Sequence, residues 1–296
     1  MMAGGGAMSE MRRLSVDDVR DVSVFLAHGQ RSPERYVGWL EEAQPDIEAQ
    51  VSRIAERSAV VMEGENIAGY CGVEWADHSR TAWILPMGTD LDALFKSGLE
   101  MLPAQTRTIA CAFEAGNRRL IAVCESHGMK QTNAELLMTV NDAAFRRSGR
   151  ATAARRAELN ILPYGEAFRE RLEEIHPATA HFTISEMAAC LDHRHYLFAV
   201  TLEQEVAGFC YATRDLAGTT GDITYVIVDG AFRRRGAATA LARHVLGTLF
   251  EDGAEHVELN VKVDNAAAIA LYRKLGFTEV KTVVAYKVAR QEASRP

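Results

Sequence analysis

A short string occurs twice in this chain, once in each half. Ala68-Gly69-Tyr70-Cys71 returns as Ala207-Gly208-Phe209-Cys210, each time after an apolar run of strand character. A second landmark repeats in the same order. Asn117 heads the run Arg118 to Cys124 before Gly128-Met129, and Asn265 heads Ala266 to Tyr272 before Gly276-Phe277. The first pair lies 139 residues apart and the second 148, so the second half carries nine residues more between its landmarks. Two ordered matches predict a duplication, and 296 residues are enough for two domains on one plan.

In the second half, strands are expected near Tyr196–Thr201 and Val206–Arg214, joined as a hairpin by a turn at Leu202–Glu205. A β-rich run at Asp222–Asp229 follows, then an amphipathic helix near Gly236–Glu251, a strand Val257–Val263, a helix Asn265–Leu275 and a closing strand Val280–Val288. The alternation predicts an α/β (α+β) fold, each half a mixed sheet with helices packed on its faces. Met1 to Glu10, with three consecutive glycines, reads as a disordered leader. The arginine-rich stretch around Arg146 to Arg156 reads as a polar linker over 142–157, between a domain at 11–141 and a second at 158–296.

Composition narrows the class of function. Hydrophobic residues at 48% and charged ones at 25% are enough for full cores. A net charge of −7 gives no field that would hold a phosphate backbone or an anionic lipid surface, so neither nucleic acid nor membrane is expected as a partner. The five cysteines are scattered and never form a CxxC pair, and the nine histidines lack zinc-ligand spacing. No metal is therefore expected, and a reducing cytoplasm fits best.

The chemistry concentrates after Ile223–Val228. That strand runs through Asp229-Gly230-Ala231-Phe232 into Arg233-Arg234-Arg235-Gly236-Ala237-Ala238-Thr239 and directly into a helix. The first N–H groups of a helix lack intrahelical partners and the macrodipole adds positive charge there, so a pyrophosphate is stabilised at that end. Gly236 and Ala238 leave the backbone open to close approach, and the three arginines can add charge-assisted hydrogen bonds. In the next helix Asn265 is placed as a cap, and Tyr272 lies seven residues on, on nearly the same face. Ala268, Leu271 and Leu275 form its apolar stripe.

RxxGxA at 233–238 followed by NxxAxxLYxxxGF at 265–277 resembles the GNAT superfamily of acyl-CoA-dependent N-acetyltransferases. The likeness covers about Leu159 to Val288 and reaches the first half only through the repeat. It implies two tandem GNAT-like domains with mostly antiparallel sheets, a layout similar to that of mycothiol synthases. It implies acetyl-CoA as acyl donor, its pyrophosphate cradled by Arg233–Thr239. The pantetheine arm would lie against Val226, Ile227 and Val228, with Asn265 near the cofactor and Tyr272 near its sulfur. Ala238 stands at a position that is often glycine, and Arg234 at another. The acceptor implied is an amine of a small molecule or peptide. A cysteinyl aminosugar is one option, and a non-catalytic CoA-binding module is the rival reading. A monomer or a homodimer would serve equally.

An amine must attack as the neutral base, so a proton acceptor is needed. Asp222, at the head of the strand, is the candidate, since the resemblance implies an acidic residue there, acting directly or through water, although a strand-end turn cap is an equal reading. Tyr272 is protonated at neutral pH and can donate to the leaving thiolate; otherwise it packs beside Phe277. Strand N–H groups would meet the oxyanion.

The first half reads differently at the matching place. Trp83 to Asp92 has no basic cluster, and Asp90 and Asp92 would repel a pyrophosphate. Tyr272 is matched by Cys124, which is expected in the core. The first domain is therefore expected to be a degenerate repeat that supports the fold. His193, His195 and His176 are expected at surface or packing positions, with His176 and His181 bordering the acceptor region that the resemblance implies.

Overall fold

The computed structural model describes residues 9–32, 37–38, 44–76, 80–149, 159–177, 180 and 182–290. The chain divides into two compact units. Unit 1 runs up to Ala134 and resumes at Thr282; unit 2 is Glu135–Lys281.

Both units follow one succession of elements. In the first half these are β1 (Ser9–Arg13), α1 (Val19–Gln30), α2 (Gln44–Arg53), β2 (Ser58–Glu63), β3 (Asn66–Ala76), β4 (Thr81–Gly88), α3 (Leu91–Glu100), β5 (Thr108–Glu114), α4 (Arg118–Ser126) and β6 (Lys130–Asn141). After α5 (Asp142–Gly149) the plan repeats as β7 (Leu159–Pro163), α6 (Arg169–Ile175), α7 (Ile184–Ala189), β8 (His195–Leu202), β9 (Glu205–Arg214), β10 (Thr220–Val228), α8 (Ala237–Glu251), β11 (His256–Lys262), α9 (Ala266–Lys274) and β12 (Thr278–Ala289). The landmark strings fall on matching elements: Ala68–Cys71 in β3 and Ala207–Cys210 in β9, with Asn117 and Asn265 capping α4 and α9.

Within unit 1 the strand order is β1-β2-β3-β4-β5-β12, and within unit 2 it is β6-β11-β10-β9-β8-β7. The pairs are antiparallel except β4–β5 and β10–β11, which are parallel. The last strand of each half thus serves the other unit. Glu135–Asn141 of β6 pair with β11, and Val283–Ala289 of β12 pair with β5. The expected boundaries at 141 and 158 are corrected accordingly, because both closing strands run through a boundary instead of ending at it.

Two further expectations change. Strand β1 begins at Ser9, inside the stretch read as a leader; residues 1–8 lie outside the described residues. The linker stretch opens with a packed helix, α5. Asn141 Oδ1 accepts the Ala144 N–H at 2.9 Å, Phe145 meets the Phe250 ring at 5.6 Å, and Arg243 donates to the Ser148 carbonyl at 3.2 Å. Residues 150–158 lie outside the described residues.

Helices cover both faces of the sheet in unit 2, as strand alternation requires. Cys210 and Ala212 join Leu241, Val245, Leu246 and Leu249 of α8 in one cluster. Phe209 and Tyr211 point the other way, to Leu172, Ile184 and Met187 of α6 and α7. Gly208 is required where β9 and β10 press together, since a Cβ there would stand 2.3 Å from the Ile227 carbonyl oxygen. Among the described residues no helix is long and apolar enough to cross a membrane.

Candidate active site

Strands β10 and β11 begin as neighbours and then part. Their parallel pairing covers only Thr220, Gly221 and Asp222 against His256, Val257 and Glu258. A bulge between Ile223 and Tyr225 bends β10 at that point, while its other edge stays paired to β9 through Val228. The Asp229 N–H bonds to the Ala207 carbonyl on the β9 side at 2.9 Å. Alternation along the ladder therefore turns the backbone groups of Val226 and Val228 to the open edge. The result is a fork with one wall of strand backbone that no other strand pairs, leading into a cleft of about 770 Å³.

The cleft gathers the residues singled out from the sequence. Val226, Ile227, Val228, Arg233, Arg234, Gly236, Ala237, Ala238, Thr239, Asn265 and Tyr272 all line it. The loop enters helix α8 through two left-handed residues, Arg234 at φ +64° and Gly236 at φ +91°. Glycine takes that conformation freely, whereas at Arg234 it stores strain. Gly236 is the N-cap and supplies no side-chain acceptor, so the first amides of α8 are left for a ligand. Arg233 Nε donates to the Val228 carbonyl at 3.3 Å. Arg234 has no hydrogen bond or ion pair among the described residues. Arg235 departs from the expectation: it pairs with Glu203, stacks over Phe232 and does not line the cleft.

Asn265 caps α9 as expected, its Oδ1 accepting the Ala268 N–H at 3.1 Å. Tyr272 is 8% exposed and lies edge-on to Phe277 at 5.6 Å while also lining the cleft, so its packing and cleft readings hold together. Of the expected stripe, only Leu275 is fully buried; Ala268 and Leu271 border the cleft, and Ile269 takes a core position. Burial pushes the Tyr272 hydroxyl well above its ordinary pKa, and the charges of Cys210 and Asp222 add to the effect. The phenol is therefore a held proton at neutral pH.

Asp222 is not among the lining residues. It stands where the paired stem of the fork ends, and accepts a hydrogen bond from Thr224 Oγ1 at 2.7 Å. Desolvation pushes its carboxyl up to about 6, against the opposing effect of that hydrogen bond. The Asp222 charge is near enough to raise the Tyr272 hydroxyl further, although the carboxyl itself stays out of the cleft lining.

The wall opposite α8 comes from the end of α6: Arg171, Glu174, Ile175 and Pro177. Sequence reasoning missed these, because an amphipathic RERLEEI helix carries no motif. Arg171 bridges Glu174 and Asp229 and so ties α6 to the loop after β10. His176 turns away from the cleft. It bonds to the Phe182 carbonyl through Nε2 at 2.6 Å and packs against Phe209 and Tyr225, while Ile175 and Pro177 on either side face inward. His181 lies outside the described residues.

Residues 161–277 match the model of the acetyltransferase (GNAT) family. This stretch holds every residue lining the cleft, and it is a GNAT domain. A mycothiol acetyltransferase of Corynebacterium jeikeium is 35% identical over 25% of this chain and 21% of its own length. The [ribosomal protein bS18]-alanine N-acetyltransferase of Escherichia coli is 35% identical over 29% of this chain and 57% of its own. N-alpha-acetyltransferase 30 of Schizosaccharomyces pombe is 31% identical over 36% and 65%. The chain thus spans between about a fifth and just under two thirds of these relatives. Likeness of fold extends over nearly the whole chain. A GCN5-related N-acetyltransferase from Sphaerobacter thermophilus superposes with a TM-score of 0.74 at 18% identity, covering 95% of each chain. A tandem GNAT protein from the clavulanic acid biosynthesis pathway gives 0.72 at 15% identity, covering 97% of this chain and 100% of that one. The chain has a tandem GNAT fold.

Proposed function

We propose that unit 2 moves an acetyl group from acetyl-CoA to a primary amine of a small molecule or peptide, by direct attack within a ternary complex. The observation that carries this reading is the continuity of one cleft from the uncapped start of α8, along the open edge of β10, to the Tyr272 side chain. Each stretch suits one part of the donor. Arg233, Arg234 and the amides of Ala237–Thr239 suit a diphosphate, and the backbone of Val226 and Val228 suits the amides of a pantetheine arm. The relatives named above take different acceptors, yet each name describes an acetyltransferase, and two of them specify an N-acyl product.

In the reaction, β10 holds the thioester carbonyl where its N–H groups meet the developing oxyanion. Asp222 receives the proton that the attacking amine gives up, through a water because its side chain stands back from the cleft. The new C–N bond forms as the C–S bond breaks. Tyr272 then gives its proton to the departing thiolate and regains one from solvent.

The test is mass-spectrometric detection of acetylated product after incubation with acetyl-CoA and a panel of alkyl amines, aminosugars, a cysteinyl aminosugar, polyamines and short peptides. An enzyme-dependent product identifies the acceptor class. Tight acetyl-CoA binding with no product from any member would favour a CoA-binding module instead.

A further inference from the structure

Strands β4 and β5 of unit 1 form the same kind of fork as β10 and β11. Their parallel pairing also spans three residues, Thr81, Ala82 and Trp83 against Thr108, Ile109 and Ala110, and then stops. Past that point the two forks differ. One edge of β5 is paired with β12 along its whole length. The edge that β4 leaves is taken by the chain itself: Val37 bridges Phe113 in antiparallel fashion, and the Gly38 N–H bonds to the Ala112 carbonyl at 2.7 Å.

The segment is held there from behind. The Gln30 amide clamps Val37 at both backbone groups, donating to its carbonyl at 2.9 Å and accepting its N–H at 2.8 Å. Val37 and Phe113 are fully buried, and Gln30 and Ala112 are buried beside them. The approach is tight, since a Cβ on Gly38 would lie 3.0 Å from the Ala112 Cβ and 3.2 Å from Val283, and a neighbour would have to give.

The mouth of this fork is shut as well. Asp90 caps α3 with its own carboxylate, accepting the Ala93 N–H at 3.1 Å, where Gly236 leaves α8 open. Arg119 of α4 reaches across to the Thr89 carbonyl. The space left among Gly88, Leu91, Asn117 and Arg119 is about 10 Å³, roughly the room for one water.

We propose that Val37 and Gly38 are a built-in occupant of the unit 1 fork, taking the place that the pantetheine arm takes in unit 2, so that each chain binds a single acyl-CoA. The comparison with pantetheine rests on the function proposed above; the occupancy of the fork does not. Unit 1 is then a domain whose fork is filled by its own backbone, which pairs with the β5 wall, the counterpart of β11.

Amide hydrogen exchange by NMR on the full chain, with and without saturating CoA, joined to titration calorimetry, tests this. The Val37 and Gly38 amides are expected to exchange slowly in the free protein and to be unchanged by CoA, with calorimetry giving one CoA per chain. Gln30→Ala is expected to speed exchange at Gly38 at least tenfold while CoA binding stays at wild type. Fast exchange at Val37 and Gly38 in the free chain, release of those amides on adding CoA, a stoichiometry of two, or unchanged exchange in Gln30→Ala would each overturn the proposal. If no CoA bound at all, the reading of unit 2 would fail. Slow, Gln30-dependent exchange at Gly38 would still establish the occupant.

Discussion

At the scale of single residues, the proposed chemistry rests on a carboxyl that ionises late, Asp222, and a phenol that holds its proton, Tyr272. Tyr272→Phe would remove the proposed donor to the leaving thiolate and keep the ring. Turnover is expected to fall by about 10²-fold or more, as for other general acids, while the acetyl-CoA dissociation constant stays within about twofold. Steady-state kinetics with a binding isotherm checks the split, and an unchanged turnover would leave the tyrosine as packing only.

Asp222 makes a two-sided prediction. Its carboxyl is raised from the ordinary range to about 6, so the folded state favours the protonated form. That contribution to stability is fully present below the unfolded value and is lost as pH rises through about 6. Asp222→Asn should therefore raise the stability at pH 7.5 by on the order of 3 kcal/mol, read as a higher melting temperature, and leave it unchanged below about pH 3. The same variant should lose the rise in kcat/KM with pH that is expected of wild type through about 6. A variant both more stable and less active would mark a position held for chemistry. The motif residues were legible because their types and spacing are local. The placement of Arg235 was not, since its partner Glu203 is set by the β8–β9 turn, and nothing in a run of three arginines tells which one faces the ligand.

At the scale of elements, two helix starts stand in contrast. Asp90 fills the end of α3 and Gly236 leaves the end of α8 bare. Gly236→Asp would put a carboxylate where the ligand's phosphates are expected, in a left-handed conformation that aspartate tolerates better than most residues. CoA affinity is expected to drop at least tenfold with at most a small change in melting temperature; unaltered affinity would remove the α8 start from the binding site. Period and caps made most elements of the second half readable to within about two residues, β10 and α9 among them. Helix α5 escaped because its apolar face is little more than Phe145 and Ala144, and five nearby arginines made the stretch look like solvated chain. Only packing against Phe250 and Arg243 reveals it as structure.

At the scale of the whole molecule, the two units share strands. β6 follows the first half in sequence and pairs into unit 2, and β12 ends the second half and pairs into unit 1. Chains cut as 1–141 and 158–296 are each expected to lack a sharp melt in circular dichroism, since each has lost the strand that completes its sheet. A cooperative melt from 158–296 alone would show that β11 does not need Glu135–Asn141. The duplication itself was visible in two landmark strings, whereas the exchange was not. Strand partners far apart in sequence leave no periodicity behind, and a closing strand reads the same whichever sheet receives it.

The exchange also bears on how such a chain can change over generations. A duplicated copy that has lost its binding groove would ordinarily be free to decay and disappear. Here its removal would take β6 with it and strip β11 of a neighbour, exposing a bare strand edge on the surviving copy. The two halves are thus tied together in structure, and a first half with a filled groove would still be kept as a donor of the strand that β11 needs.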